Sequence, residues 1–508
     1  MVDTIFLDGK GLTISEVSKV GTGDAEVQLT DSAKDEIKEG RRALKQAVRE
    51  SEDSLYGITT GFGHLVNEDV DPGKRRQLQE NLIRSHSSGV GDSFPREIVR
   101  AAMVLRINSL ARGNSGIRLR VVRRMVQMLN EDVVPLVPRL GSLGASGDLA
   151  PLAHLASVLS GFGRAEFEGE VYNGEEALSM AGIEPVELRQ KEGLALINGT
   201  QFMAGSLCIS IAIMNRLLTL ADVVGAFTVA VLGGNEAQFD RRIQNLRPFP
   251  GQKKVARNIR NLVGYARGEG RSDTVQDAYS IRCIPQVHGA VRTLTEHVSE
   301  ILRVEINSVT DNPLIFTEPL TVLSGGNFHG EPIAFGADYL KLGLVELGTI
   351  SERRINRLLH PDLNGDLPPF LTDNPGVNSG YMMAQYTAAS LVSENRSLAS
   401  PASIDSIPVS GDQEDHVSMG MTAVTPLAQM IENLSYVISI ELLVDSQAQD
   451  FRSDPLSPPL EKLFDKVRER VPFLEEDSFL HKFIERTHSI LQEEGILAMI
   501  EKECGPLA

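Results

Sequence analysis

Apolar positions along this 508-residue chain recur mostly at the three-to-four spacing of helices buried on one side. The longest stretches are apolar on nearly every side. Residues 31–52 carry a helical pattern rich in Lys, Glu, Arg and Ala, with Thr30 or Asp31 placed to cap it. The same periodicity runs over about 73–85, 95–112 and 116–130, with Gly89, Gly91 and Gly113 marking breaks. Leu149 to Leu159 reads as another helix, and residues 161–192 as short mixed structure with a small hairpin at Phe167–Tyr172. Five long helices are predicted over roughly 200–245, 284–308, 331–359, 378–398 and 416–448, lengths that suit an elongated bundle. Residues 459–504 are charged and amphipathic, as in a surface helical layer. The expected fold is therefore mostly α. A smaller, mixed but mainly helical N-terminal domain (1–200) precedes a central long-helix bundle (201–455) and a C-terminal helical layer (456–508).

Composition sharpens this picture. Apolar residues make up 42% of the chain, Trp is absent and aromatics reach only 5%, so the interior must be built from aliphatic side chains and Met. With 50 basic against 68 acidic residues the net charge is −18, which argues against nucleic-acid or anionic-membrane partners. Phe202–Met214 and Leu217–Gly234 are almost wholly apolar, but Asn215-Arg216 and Asp222 interrupt them, so a buried central helix is expected rather than a membrane span. Cys208, Cys283 and Cys504 have no metal-ligand spacing and an odd count, which suits a reducing compartment. Met1–Lys10 lacks the basic flank and apolar stretch of a signal peptide, and a cytoplasmic protein is expected. No dinucleotide or phosphate-loop fingerprint occurs; Gly61-Phe62-Gly63 lacks the third glycine.

The run Gly141-Ser142-Leu143-Gly144-Ala145-Ser146-Gly147-Asp148-Leu149-Ala150-Pro151-Leu152-Ala153-His154 carries distinctive chemistry. In a tight bend, the Gly147 amide nitrogen can attack the Ala145 carbonyl carbon and close a five-membered ring. Loss of two waters, one of them the Ser146 hydroxyl, then leaves a methylidene-imidazolone. Glycine suits the attacking position because it permits unusual dihedrals and close approach. A bare Ala-Ser-Gly is expected by chance in roughly one chain in five of this length, so the weight rests on the whole run. Charge developing in such a ring is best met by helix amino-termini aimed at it, which predicts helix starts around the loop.

That run resembles the prosthetic-group segment of the aromatic amino acid ammonia-lyases and aminomutases, and further motifs extend the resemblance over nearly the whole chain. Leu55-Tyr56-Gly57-Ile58-Thr59-Thr60-Gly61-Phe62-Gly63 is similar to the family's tyrosine loop, which implies Tyr56 as the base for the substrate β-proton. A free phenol titrates near pH 10, so Tyr56 would need a pKa lowered by a helix end or a cation. In Leu196-Ile197-Asn198-Gly199-Thr200-Gln201, Asn198 resembles the residue that steadies the imidazolone and the substrate. Gln276-Asp277-Ala278-Tyr279-Ser280-Ile281-Arg282-Cys283 implies Arg282 as a planar fork for the substrate carboxylate, with Tyr279 and Gln276 close to the reacting group. Gly325-Gly326-Asn327-Phe328-His329-Gly330 resembles the loop whose phenylalanine packs against the prosthetic ring, here Phe328.

Two places bear on the substrate. His86, in Ser85-His86, implies a polar side-chain target without separating imidazole from phenol. Glu414, in Gln413-Glu414-Asp415-His416-Val417-Ser418-Met419-Gly420, stands where tyrosine and phenylalanine relatives usually carry Gln. A carboxylate there can accept an imidazole N–H. Cys283 after Arg282 also fits the histidine branch. Gly411-Asp412 replaces the more usual Ala-Asn, and Ala278 replaces Pro or Arg.

The resemblance implies elimination of ammonia from L-histidine to give trans-urocanate through a ring made from Ala145, Ser146 and Gly147, without pyridoxal phosphate or a required metal. It also implies a homotetramer with shared active sites. A tyrosine ammonia-lyase or tyrosine 2,3-aminomutase is the alternative. A fumarase-type helical lyase would carry Gly-Ser-Ser-x-Met-Pro-x-Lys, which is not found, and a helical scaffold whose loop never cyclises would keep its translated mass.

Overall fold

The computed structural model describes residues 3–51, 54–264 and 275–508. The described chain is mainly helical and forms two compact units, each assembled from segments far apart in sequence. One comprises the chain up to Ala212 with Val298–Asp338 and Pro401–Thr425; the other comprises Ile213–His297, Tyr339–Ser400 and Pro426–Ala508.

The first unit is built around the helix Arg96–Ala111, in which every residue from Ile98 onward is buried. Helices Ile14–Thr22 and Leu119–Asn130 pack against it. The helix Asp31–Glu50 begins where the Thr30 hydroxyl accepts the Ala33 N–H, and it buries Ile37, Leu44 and Ala47; position 52, to which the pattern extended it, lies outside the described residues. Helices Arg75–His86 and Leu149–Leu159 form as the periodicity predicts and pack on each other and on the short helix Glu192–Ile197. The predicted hairpin pairs Arg164–Phe167 with Glu170–Asn173. Its turn residues Glu168 and Gly169 have φ of 50° and 81°, the left-handed pair that a two-residue hairpin turn requires.

Several small β elements went unread in the sequence, among them a parallel pair, Asp3–Leu7 with Ala25–Leu29, an antiparallel pair, Val90–Ser93 with Pro138–Leu140, and a hairpin, Leu314–Thr317 with Leu320–Leu323. Ile315 of that hairpin joins Ala43, Leu44 and Ile58 in one apolar cluster. This packing explains why Val298–Asp338 groups with the N-terminal elements rather than with a contiguous 201–455 bundle.

In the second unit, the largely buried helix Leu427–Asp450 packs against Met382–Leu398 and Leu480–Gln492. The charged C-terminal helices Pro458–Arg468, Leu480–Gln492 and Ile496–Cys504 pack on one another and within this unit. Two predicted long helices are interrupted. The first runs Gln201–Val231 and ends before Gly233 (φ 65°) and Gly234, after which Asn235 caps a short turn. The last is split at Pro426 into Gly420–Val424 and Leu427–Asp450. A helix at Pro250–Val263 was not anticipated, although Pro250 occupies the first-turn position where proline favours helix initiation.

Gln201–Val231 and Gly420–Asp450 are long and apolar enough to cross a membrane, yet 72% and 78% of their most apolar windows are buried inside the protein. The charges that interrupt the first, Arg216 and Asp222, are satisfied internally, Arg216 by the Leu491 and Glu493 carbonyls. Asp222 meets His288 Nδ1 at 2.8 Å and accepts hydrogen bonds from Arg292 at 2.7 Å and Asn258 at 2.8 Å. Arg354 and Glu441 likewise form a fully buried pair, the kind whose disruption costs about 3–5 kcal/mol.

Candidate active site

The Ala145-Ser146-Gly147 segment is held in a bend by glycine at both ends. Gly144 and Gly147 have φ of 71° and 74° and bridge each other, and Gly147 also pairs with Gly199. A Cβ on Gly147 would lie 2.1 Å from the Gly199 carbonyl oxygen, and one on Gly144 would lie 2.3 Å from Ser418 Oγ. Only glycine combines that backbone conformation with that closeness. The Asp148 N–H donates to the Gly199 carbonyl at 2.7 Å, the Ser418 hydroxyl to the Gly144 carbonyl at 3.2 Å, and Asn198 Nδ2 to the Ser146 carbonyl at 3.4 Å.

Three helices begin against this bend, as the chemistry predicts. One starts at Leu149, one at Gln201 just after Gly199, and one at Gly420 just after Ser418. The Asp148 carboxylate accepts the first-turn N–H groups of Phe202 and Met203 at 2.8 and 2.9 Å. Burial pushes its pKa up to about 7 against the pull of those two bonds. Fully buried Arg106 donates to the Asn198 carbonyl at 2.7 Å and to Gln201 Oε1 at 2.9 Å, fixing the turn between the helices Glu192–Ile197 and Gln201–Val231 that faces the bend.

Ser146 opens onto a cavity of about 490 Å³, within the size range of small-molecule sites. Tyr56, His86, Asn198 and Glu414 line it together with apolar Phe62, Leu82, Leu194 and Ile197. The Ser146 hydroxyl donates to Glu414 Oε1 at 2.9 Å. Glu414 sits at the end of a tight loop bridged between Val409 and Glu414, whose turn residues Gly411 and Asp412 both have left-handed φ, 61° and 63°. The Gly-Asp pair therefore suits its turn, since Gly and Asp are among the residues that tolerate this conformation. Ser410 Oγ accepts the His64 N–H at 3.3 Å and ties this loop to the Tyr56 loop.

Tyr56 is half-buried, its ring edge-on to Phe62 and its hydroxyl accepting the Gly63 N–H at 3.1 Å. Burial raises its pKa, Glu414 adds to the rise, and the Gly63 N–H alone opposes them. The expected lowering of this phenol is not seen within the chain, where the charged group acting on it is a carboxylate and not a cation. His86, at the end of its helix and 3.0 Å from Ser85 Oγ, has its pKa lowered by burial against the pull of the Leu82 carbonyl and Glu414.

The other site residues lie elsewhere. Phe328 is half-buried in the loop before the helix Glu331–Leu359 and does not line the cavity. Gln276, Tyr279 and Arg282 belong to the second unit. Gln276 and Tyr279 are exposed, and the Arg282 guanidinium lies 4.7 Å from the centre of the Tyr279 ring. Two contributors to the bend escaped sequence reasoning. Arg106 could have been flagged as a lone charge inside an otherwise apolar run, and Ser418 as a hydroxyl within the Glu414 motif.

Residues 12–469 match the family model described as aromatic amino acid lyase. The chain belongs to the aromatic amino acid lyase family. A relative from Natranaerobius thermophilus, named histidine ammonia-lyase, is 48% identical over 99% of this chain and 100% of its own length. The crystal structure of histidine ammonia-lyase from Trypanosoma cruzi is 39% identical with a TM-score of 0.91, covering 98% of this chain and 95% of that one. Tyrosine aminomutase from Streptomyces globisporus is 37% identical with a TM-score of 0.93, covering 99% and 100%. This lyase family works through a methylidene-imidazolone. The present bend fits that group, with glycines that admit no Cβ and an Asn198 Oδ1 that is buried without a hydrogen-bond partner among the described residues.

Proposed function

We propose that the chain eliminates ammonia from L-histidine to give trans-urocanate, using an electrophile built from its own Ala145, Ser146 and Gly147. The observation that carries this reading is the Glu414 carboxylate 2.9 Å from Ser146 Oγ, in a cavity that also contains His86. The reading is further supported by relatives at 43–48% identity over essentially the whole chain that bear the name histidine ammonia-lyase. When formed, the methylidene-imidazolone supplies an electron-poor carbon that makes the substrate amine a leaving group.

The chain's own residues do the rest. Glu414 accepts an imidazole N–H and favours a cationic substrate. His86, kept neutral by burial, offers a second hydrogen bond to the polar ring. The Tyr56 oxygen takes the β-proton, and Asn198 steadies the ring and the amine. In a site completed by other subunits, Arg282 would hold the carboxylate in a planar fork, with Gln276 and Tyr279 near the reacting group and Phe328, which does not line the cavity of its own chain, near the prosthetic group. N–H groups at the helix starts Leu149 and Gly420 stabilise negative charge as it develops, while the first-turn N–H groups of the Gln201 helix hold the Asp148 carboxylate. Since the electrophile is the chain's own, neither pyridoxal phosphate nor a metal is required for the chemistry.

Gln276 and Tyr279 are exposed, which supports a homotetramer whose active sites are completed by other subunits. All three cysteines are unpaired, which supports a cytoplasmic setting.

Parallel incubation with L-histidine and L-tyrosine, followed by ultraviolet absorbance, tests the substrate. Urocanate should dominate, and faster release of coumarate would overturn the histidine reading. Glu414→Gln should lower kcat/KM for histidine by roughly 10- to 100-fold, the scale of a lost charge-assisted hydrogen bond. The intact mass should be two waters below that of the translated sequence.

A further inference from the structure

Two residues beyond Glu414, His416 faces His329, with ring centroids 5.7 Å apart and planes 29° from parallel. Glu331 opens the helix Glu331–Leu359 and completes a group of three whose donor atoms all lie within 4.8 Å of one another. His329 Nδ1 is 3.9 Å from Glu331 Oε2. That carboxylate oxygen is buried and has no hydrogen-bond partner among the described residues. Leaving it so is costly. A single cation held by all three groups gives that oxygen a partner.

We propose that His329, Glu331 and His416 bind a divalent transition-metal cation of the zinc type, a clasp joining the loop of Phe328 to the loop of Glu414. Two imidazole nitrogens and one carboxylate oxygen suit zinc and its first-row neighbours better than calcium or magnesium. Zinc–ligand lengths of about 2.0–2.2 Å put tetrahedral donors about 3.4 Å apart, so small side-chain rotations close the group. His416 is exposed, so the ion can reach the site from solvent, and the fourth position is left to water. The clasp positions the Glu414 loop and takes no part in ammonia elimination, so it stands independently of the substrate assignment.

The test uses full-length enzyme freed of metal by a chelator and titrated with Co²⁺ as an optical probe, then with Zn²⁺ in competition. Wild type should take up about one Co²⁺ per chain with the visible bands of a tetrahedral site, and Zn²⁺ should displace it. His416→Ala and Glu331→Gln should lose this uptake while keeping the far-ultraviolet circular dichroism of the wild type. Zn²⁺ should raise the melting temperature of the wild type and leave that of His416→Ala unmoved, since only a state that binds the ion is stabilised by it. No tetrahedral Co²⁺ bands in wild type, or equal uptake by both folded variants, would overturn the proposal.

Discussion

A half-buried phenol with a carboxylate for a neighbour holds its proton, and this sets the direction of the enzyme's pH dependence. Tyr56 has its pKa raised by burial and by Glu414, so its basic form becomes more populated as pH rises. The value of kcat/KM for histidine should climb through the neutral and alkaline range. Tyr56→Phe should lose roughly 10²–10⁴ in rate and flatten that climb, while its intact mass still shows two waters lost. In Glu414→Gln the remaining activity should rise at lower pH, because one of the influences raising the phenol pKa is gone. At this scale much was legible in the sequence: Tyr56, His86, Ser146, Asn198 and Glu414 do meet in one cavity. What stayed hidden was the sign of the Tyr56 shift. A motif names its own residues but not the charge that faces them across the fold, and the Glu414 loop reaches Tyr56 from more than three hundred positions away.

The bend between Gly144 and Gly147 works as an element because its neighbours leave no room for side chains. Gly147→Ala would place a Cβ 2.1 Å from the Gly199 oxygen at a φ of 74°, so the closed bend should be lost. Mass spectrometry should find that variant at its full translated mass and without activity. Gly73→Ala, where nothing lies within 4 Å of the added carbon, should mature normally. Helices with strong periodicity and clear stops were readable, as at Leu149–Leu159 and Glu331–Leu359. Elements made stable by distant partners were not. The hairpin at Leu314–Leu323 has too short a pattern to stand out, and Ile315 gains its setting from Leu44 and Ile58. The helix break at Pro426 was passed over because apolar residues continue on both sides, and the one at Gly233 because Phe239 and Ile243 keep a helical spacing beyond it.

For the whole molecule, the helix Glu331–Leu359 exposes Phe335, Tyr339 and Leu342 at helical spacing, an apolar stripe of the kind that marks a protein–protein contact. Phe335→Glu should shift the proposed tetramer to smaller species in light scattering and reduce activity with it, because Arg282 and Tyr279 would then no longer reach a neighbour's cavity. A wild type that is monomeric and fully active would remove the shared-site reading. The division into units was beyond sequence reasoning, since contiguous stretches were the only domains a linear pattern could suggest. That discontinuity also sets a clock. Ser418, whose hydroxyl holds the Gly144 carbonyl, lies 274 residues further along the chain. At about 5–20 residues per second, the ribosome delivers it roughly 14–55 seconds after Gly144. On the proposed function, in which the Ser418 hydroxyl helps to hold the bend that cyclises, the nascent polypeptide keeps an ordinary serine until that late residue has been made.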